Sequence, residues 1–386
     1  MSISGDKKFY GLYCFSLPKR CWSKDSNYVI LSTPQKFNVK SFLVCLTTKV
    51  IIEIENSDGS SLIVVDVKGN YLLAEKTSLI KPSQLIIAEI NPSSSELGHL
   101  SFVACTESIS IPKSEDLFYE NEEYTYNTNE TVKTFNFTYF GKKDVSDKSI
   151  PLIVDSHGGP HVSYSNIFTC RHAFYTILGF GVLRVNYRGS TGMGGDTVDY
   201  LLGKAGVVDI LDCVTATDKV CAKYASIDPN RINVVGGSHG GFISAHLSGQ
   251  YPDKFKTALM ANPVINLSAM YITTDIPDWC RAEIGCPMLQ KDDKISYGEL
   301  MQKMLEHSPI IHVDKVKIPT LLFLGSKDLR VPSSQGKSWY NRLAANKVKT
   351  KLIIYEDDHS LLKDPHEMDY VINSALWLME HNDVVL

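Results

Sequence analysis

The sequence predicts an all-β region over residues 1–113 followed by an α/β region over residues 114–386, the latter a mostly parallel sheet with helices on both faces. Two patterns predict it. In the first region short β-branched runs follow one another with few helical stretches: YVIL (28–31), SFLVCL (41–46), VIIEI (50–54), SLIVV (61–65) and QLIIA (84–88). Turn clusters at Asp58-Gly59, Lys68-Gly69-Asn70 and Lys81-Pro82-Ser83 punctuate them. In the second region near-continuous apolar strands alternate with helix-length segments. The strands are IPLIV (150–154), GVLRVN (181–186), INVV (232–235), TALM (257–260), TLLFL (320–324) and KLIIY (351–355). Segment 208–224 is one such helix, with apolar residues at three- and four-residue steps. Strands apolar along their whole length need cover on both faces, which β-α-β crossovers supply. The acidic, polar stretch from Lys113 through Glu130 reads as the linker, and TFNFTY (134–139) as the first strand beyond it.

The 386 residues, 44% hydrophobic and 21% charged, are ordinary globular composition and provide a sizeable core. A formal net charge of −4 and the lack of a long basic run argue against nucleic acid as a partner. The longest apolar runs fall far short of the roughly 20 residues of a membrane span. The start, MSISGDKKFYGLYC, has neither the apolar core nor the small-residue cleavage site of a secretory signal. Nine scattered cysteines without a C-x-x-C pair fit reduced thiols. The expectation is a soluble, cytosolic protein with no membrane partner, in which the N-x-[ST] matches at Asn129, Asn136 and Asn266 stay unmodified.

Gly236-Gly237-Ser238-His239-Gly240 matches G-x-S-x-G, between a buried-type strand and a helix-compatible segment from Phe242. That context is the strand, sharp turn and helix of an α/β-hydrolase nucleophile elbow. Side chains at Gly236 and Gly240 would collide with the adjoining strand and helix, which explains the glycines. A serine hydroxyl needs a base to take its proton and a third group to orient the base. In this fold the order is Ser, then an acid, then His. Asp328 follows TLLFL in LLFLGSKDLRVP, and His359 follows KLIIY in KLIIYEDDHSLL, each just past the carboxyl end of a strand, where open α/β sheets bind ligands. Asp357 and Asp358 adjoin His359 but come from the wrong loop, and read as solvated loop charges.

The reaction also develops an oxyanion, which preorganised N–H donors must meet. HGGP (157–160), after strand IPLIV, is placed to supply the amide of Gly159, and the residue after the nucleophile, His239, supplies the second through its backbone.

The stretches SHGGPHVSY, VLRVNYRGSTGMGG, GGSHGGFISAHLSGQYP, NPVINLSAM, TTDIPDWC and GSKDLRVP, across residues 114–386, resemble the catalytic domain of acylaminoacyl-peptidases in the prolyl oligopeptidase family of serine peptidases. The resemblance implies Ser238 as nucleophile, His359 as general base and acid, and Asp328 as its orienter. It implies that Arg330, in DLRVP, binds a substrate carbonyl near the scissile bond, with a surface salt bridge as the other reading. It further implies short N-acylated peptides as substrate, release of an N-acylated (for example acetylated) amino acid through an acyl-enzyme, and leaves a homo-oligomer open. Residues 1–113 resemble the end of that family's β-propeller, with CWSKDS (21–26) like a blade motif, and 113 residues supply two or three blades. The chain therefore reads as a partial propeller, truncated relative to its relatives.

Two other functions remain: a carboxylesterase-like hydrolase using the same machinery, and a non-catalytic interaction protein. No cofactor or metal is expected. H-E-x-x-H is absent, and Gly192-Met193-Gly194 has Thr197 where a dinucleotide fingerprint needs its third glycine. Trp279, in DIPDWC, reads as buried packing rather than as pocket lining.

Overall fold

A computed structural model describes residues 2–3, 8–14, 16–91, 97–112, 114–143, 145–286 and 295–385. The chain forms two compact units. One comprises Met1–Tyr119 with Ser163–Ala173 and Thr191–Gly195, the other Glu120–Val162, Phe174–Ser190 and Asp196–Leu386.

The first unit holds two four-stranded sheets. Strands β1 (Ser2–Ile3), β2 (Tyr28–Gln35), β3 (Asn38–Cys45) and β4 (Val50–Glu53) form one, in the order β1-β4-β3-β2. Strands β5 (Ser61–Lys68), β6 (Tyr71–Ser78), β7 (Lys81–Glu89) and β8 (Val103–Ala104) form the other, in sequence order. Alternation puts Ile30, Leu43, Leu62, Val64, Leu72 and Ala74 into one core shared by the two sheets. Two of the three turns are those read from sequence, Gly59 and Gly69 both having positive φ, which glycine adopts without strain; Lys81-Pro82-Ser83 instead opens β7, and the chain turns just before it at Leu79-Ile80.

The second unit is built on an eight-stranded sheet. Its strands are β9 (Leu117–Thr125), β10 (Thr134–Lys142), β11 (Ile150–Ser156), β12 (Gly181–Asn186), β13 (Ile227–Gly237), β14 (Thr257–Ala261), β15 (Thr320–Gly325) and β16 (Thr350–Tyr355), in the order β16-β15-β14-β13-β11-β12-β10-β9. β10 runs antiparallel to β12, whereas β12, β11, β13, β14, β15 and β16 are mutually parallel. The helices are α1 (Cys170–Ile177), α2 (Gly195–Asp199), α3 (Val208–Lys223), α4 (His239–Gln250), α5 (Leu267–Tyr271), α6 (Pro277–Glu283), α7 (Tyr297–Glu306), α8 (Ser334–Ala345) and α9 (His366–Asn382). Ile153, Val182, Val235, Leu259, Leu321 and Phe323 present one sheet face to Tyr370, Ala375, Trp377 and Leu378 of α9. Each large apolar side chain buried there contributes about 1.5–3 kcal/mol. Helix α7 starts where Ser296 and Glu299 cap each other's backbone amides, a reciprocal box legible in the sequence S-x-x-E.

The stretch 113–130 differs from the linker expected of it, Lys113 itself lying outside the described residues. It contains β9, the edge strand of the large sheet. Its acidic residues serve that edge: Glu120 and Glu122 lie 2.6 and 2.9 Å from Lys223 Nζ. Charge on an edge strand discourages pairing with another chain, and the same charge in a sequence imitates a linker. Among the described residues, no helix is long and apolar enough to cross a membrane.

Candidate active site

Parallel strands in register end at one level, and that edge carries the residues singled out from sequence. The pairs Ser156↔Gly236, Gly237↔Ala261, Ala261↔Phe323 and Gly325↔Tyr355 align the carboxyl ends of β11, β13, β14, β15 and β16. His157 to His161 follow β11, Ser238 follows β13, Asn262 follows β14, Asp328 follows β15 and His359 follows β16.

Ser238 has φ 58° and ψ −121°, a backbone conformation that a side chain rarely tolerates. Three backbone hydrogen bonds hold it there: its N–H donates to Ala261 O (2.9 Å), and its carbonyl accepts from Phe242 N (3.0 Å) and Val264 N (3.3 Å). Such strain persists only where the surroundings over-determine it. The glycines act as the sequence suggested. A Cβ on Gly236 would lie 2.2 Å from Gly240 O, and one on Gly240 would lie 2.0 Å from Ser156 O. Gly240→Ala is therefore expected to destabilise the protein by about 1–3 kcal/mol through overpacking and to lower kcat about 100-fold by displacing Ser238. Thermal denaturation and steady-state kinetics check this, and a variant with unchanged values would mean that the elbow yields freely.

Asp328 has its side chain fully buried and its two oxygens divided. Oδ2 lies 2.6 Å from His359 Nδ1, while Oδ1 accepts from Arg330 N (2.8 Å) and Val331 N (2.9 Å). His359 keeps 28% of its side chain exposed. Among the described residues no hydrogen bond joins Ser238 Oγ to His359 Nε2. Asn262 ties the two loops together, donating to His359 O (2.9 Å) and accepting from Gly325 N (2.8 Å). Its place just after TALMA was the available signal for it.

Gly158 lies against Ser238: a Cβ there would lie 3.3 Å from Ser238 Cβ. Gly159 turns the chain at φ 110°, and a Cβ on it would lie 2.8 Å from His161 N. Neither the Gly159 amide nor the His239 amide, at the first position of α4, has an acceptor among the described residues. The ring of His239 is buried and already engaged. Its Nε2 lies 3.0 Å from Asp209 Oδ2, and it stacks on Phe242 with centroids 4.8 Å apart. His157, also buried, is pushed down to about 4 by loss of solvent and is neutral.

Arg330 is paired with Asp275, Nε to Oδ1 at 2.8 Å and Nη2 to Oδ2 at 3.3 Å, both side chains more than 40% exposed. This is the salt bridge weighed against the substrate-binding reading. Trp279 differs from the expected packing role. It is half-buried, and its indole N–H donates to Gly159 O at 3.1 Å. Asp357 is a correction. It is buried, accepts from Asp358 N (2.8 Å) and Lys363 N (3.2 Å), and its Oδ2 lies 3.0 Å from His366 Nδ1. The loop folds back over it, which local sequence does not reveal, whereas Asp358 is exposed as expected. Among the described residues no group of three or more His, Cys, Asp or Glu side chains is gathered to hold a metal ion.

The profile of the prolyl oligopeptidase family matches residues 166–383. The acylamino-acid-releasing enzyme of Mus musculus is 35% identical over 391 residues, spanning 97% of this chain and 51% of the relative. That of Homo sapiens is 33% identical over 387 residues, with the same shares. The chain thus spans about half the length of the curated relatives it matches. Among solved structures, an acylaminoacyl peptidase of Pyrococcus horikoshii has a TM-score of 0.77 at 18% identity, covering 93% of this chain and 55% of that one. A puromycin hydrolase has a TM-score of 0.77 at 19% identity, covering 93% and 52%. At those identities the structures speak for the fold, an α/β hydrolase preceded by propeller-like β-sheets, as the sequence predicted.

Proposed function

The chain belongs to the prolyl oligopeptidase family of serine peptidases, and we propose that it is a serine exopeptidase releasing an N-acylated amino acid from the blocked end of short peptides. The observation that carries this is the 2.6 Å contact between His359 Nδ1 and buried Asp328 at the same sheet edge as the strained Ser238. Ser238 Oγ attacks the carbonyl of the acylated residue while His359 Nε2 takes its proton. Asp328 holds Nδ1–H and stabilises the imidazolium that forms. The amides of Gly159 and His239 meet the oxyanion, each worth about 2.7–4 kcal/mol at the transition state. The tetrahedral intermediate expels the peptide amine, which His359 protonates, and water activated by the same ring then hydrolyses the acyl-enzyme. The Ser238–His359 hydrogen bond closes on substrate binding, as catalytic contacts often do. Exposed ion pairs contribute about 0–1 kcal/mol, so Arg330 is free to leave Asp275 for a substrate carbonyl at small cost.

The test is labelling with a fluorophosphonate probe together with hydrolysis of an acetyl-alanyl chromogenic substrate. Wild-type protein is expected to label and turn over, and Ser238→Ala to do neither. Labelling that survives Ser238→Ala, or wild-type protein inert to both reagents, would sink the reading.

A further inference from the structure

The loop from His157 to His161 ends in an acid–base contact, between a part-buried imidazole and a buried carboxylate, that the mechanism above does not use. His161 Nδ1 lies 2.9 Å from Gly189 O, and Nε2 lies 3.3 Å from Glu283 Oε1. A carbonyl and a carboxylate only accept, so a ring that meets both carries a proton on each nitrogen. Glu283 is 2% exposed, and its Oε2 has no partner among the described residues, which leaves His161 as the cation that compensates it. The charges acting on the ring come from Glu283 on α6 and Asp199 at the end of α2, while the third neighbour, Gly189, presents a carbonyl. Burial disfavours the charged ring, but the Glu283 hydrogen bond and charge outweigh it and hold His161 above its ordinary value. One helical turn before Glu283, Trp279 donates to Gly159 O at 3.1 Å. Residues four apart share a helix face, so α6 grips the loop on both sides of Pro160.

We propose that His161 and Glu283 form a proton-dependent latch which, with Trp279, positions the Gly158-Gly159 turn for oxyanion binding, so that loss of the His161 proton releases the loop and lowers activity at alkaline pH. The inference rests on the serine-hydrolase reading, and all three are positioning residues, acting through the loop. Below the folded value of His161 the latch is closed, and it opens as pH rises through that value.

The test is the pH profile of kcat and KM on the acetyl-alanyl substrate, after fluorophosphonate labelling of the wild type. Glu283→Gln keeps an acceptor but removes the charge. It is expected to move the alkaline limb about one pH unit toward acid and to lower kcat about tenfold with KM unchanged. His161→Gln removes the titrating ring, and the limb is expected to vanish. Trp279→Phe lowers kcat without moving the limb. A limb that stays in place in both Glu283→Gln and His161→Gln, or is absent from wild type, overturns the latch. If one variant fails to fold, an unmoved limb in the other overturns it. Wild type that does not label overturns the hydrolase reading and the latch with it, whereas labelling with an unmoved limb overturns the latch alone.

Discussion

Asp328→Asn lowers kcat about 10⁴-fold with little change in KM, the loss expected when the base is held in the wrong tautomer. The structure sharpens this beyond analogy. Three donors converge on Asp328: His359 Nδ1 on one oxygen, and the amides of Arg330 and Val331 on the other. An asparagine has one acceptor oxygen, so either its NH₂ faces the His359 ring and forces the proton to the nitrogen that must act as base, or it faces two backbone amides. The second orientation leaves buried donors unsatisfied at about 1–3 kcal/mol. A loss of kcat without a large fall in melting temperature therefore identifies the first orientation, and a stability loss of that size identifies the second. A kcat within tenfold of wild type contradicts the assignment of Asp328 as orienter.

Arg188→Met is the largest expected effect on stability, a loss of about 3–5 kcal/mol, because removing one partner leaves a buried charge uncompensated. The Arg188 side chain is 1% exposed and that of Asp212 0%. Its guanidinium meets Asp212 through Nε (3.1 Å to each oxygen) and Nη2 (2.9 Å), while the Arg188 amide donates to Asp212 Oδ2 at 2.8 Å. Nη1 reaches Glu130 at 2.7 Å, and Tyr126 lies beneath the cation with its ring centroid 4.6 Å away. In the single variant Asp212 must ionise alone or take a proton, so the deficit shrinks as pH falls. Adding Asp212→Leu removes the orphaned charge and recovers most of the loss. Chemical denaturation of the two single variants and the double variant reads the coupling, and additive losses would show that the pair is not a unit.

The residues of the proposed triad could be picked out because chain order and chemistry coincide. Ser238, Asp328 and His359 each follow a strongly apolar strand, and parallel strands deliver whatever follows them to one edge of the sheet. Gly236 was legible because its forbidden Cβ meets Gly240 within the same sharp turn, whereas the atom that forbids one on Gly240, Ser156 O, comes from β11, and only the G-x-S-x-G pattern pointed to it. Asp357 was misread because its partners, Lys363 N and His366, lie where the following loop folds back and at the first residue of α9. The acidic run ending at Glu130 imitated a linker because edge strands and linkers carry the same charge, and only pairing distinguishes them. Trp279 and Glu283 stood in a motif quoted for resemblance or just beyond it, without any local mark of contact with residues 120 positions earlier.

By itself, then, the sequence determined the class of each region and which serine, acid and histidine of the proposed triad stand at strand ends and in what order, because periodicity, turn residues and strand ends are written within a few residues of one another. The tertiary structure alone decided which acid is buried, which arginine is a surface ion pair and which a core cation, and how α6 meets the His157–His161 loop. Those outcomes depend on desolvation and on distances between groups far apart in the chain, and both exist only once the sheet has assembled.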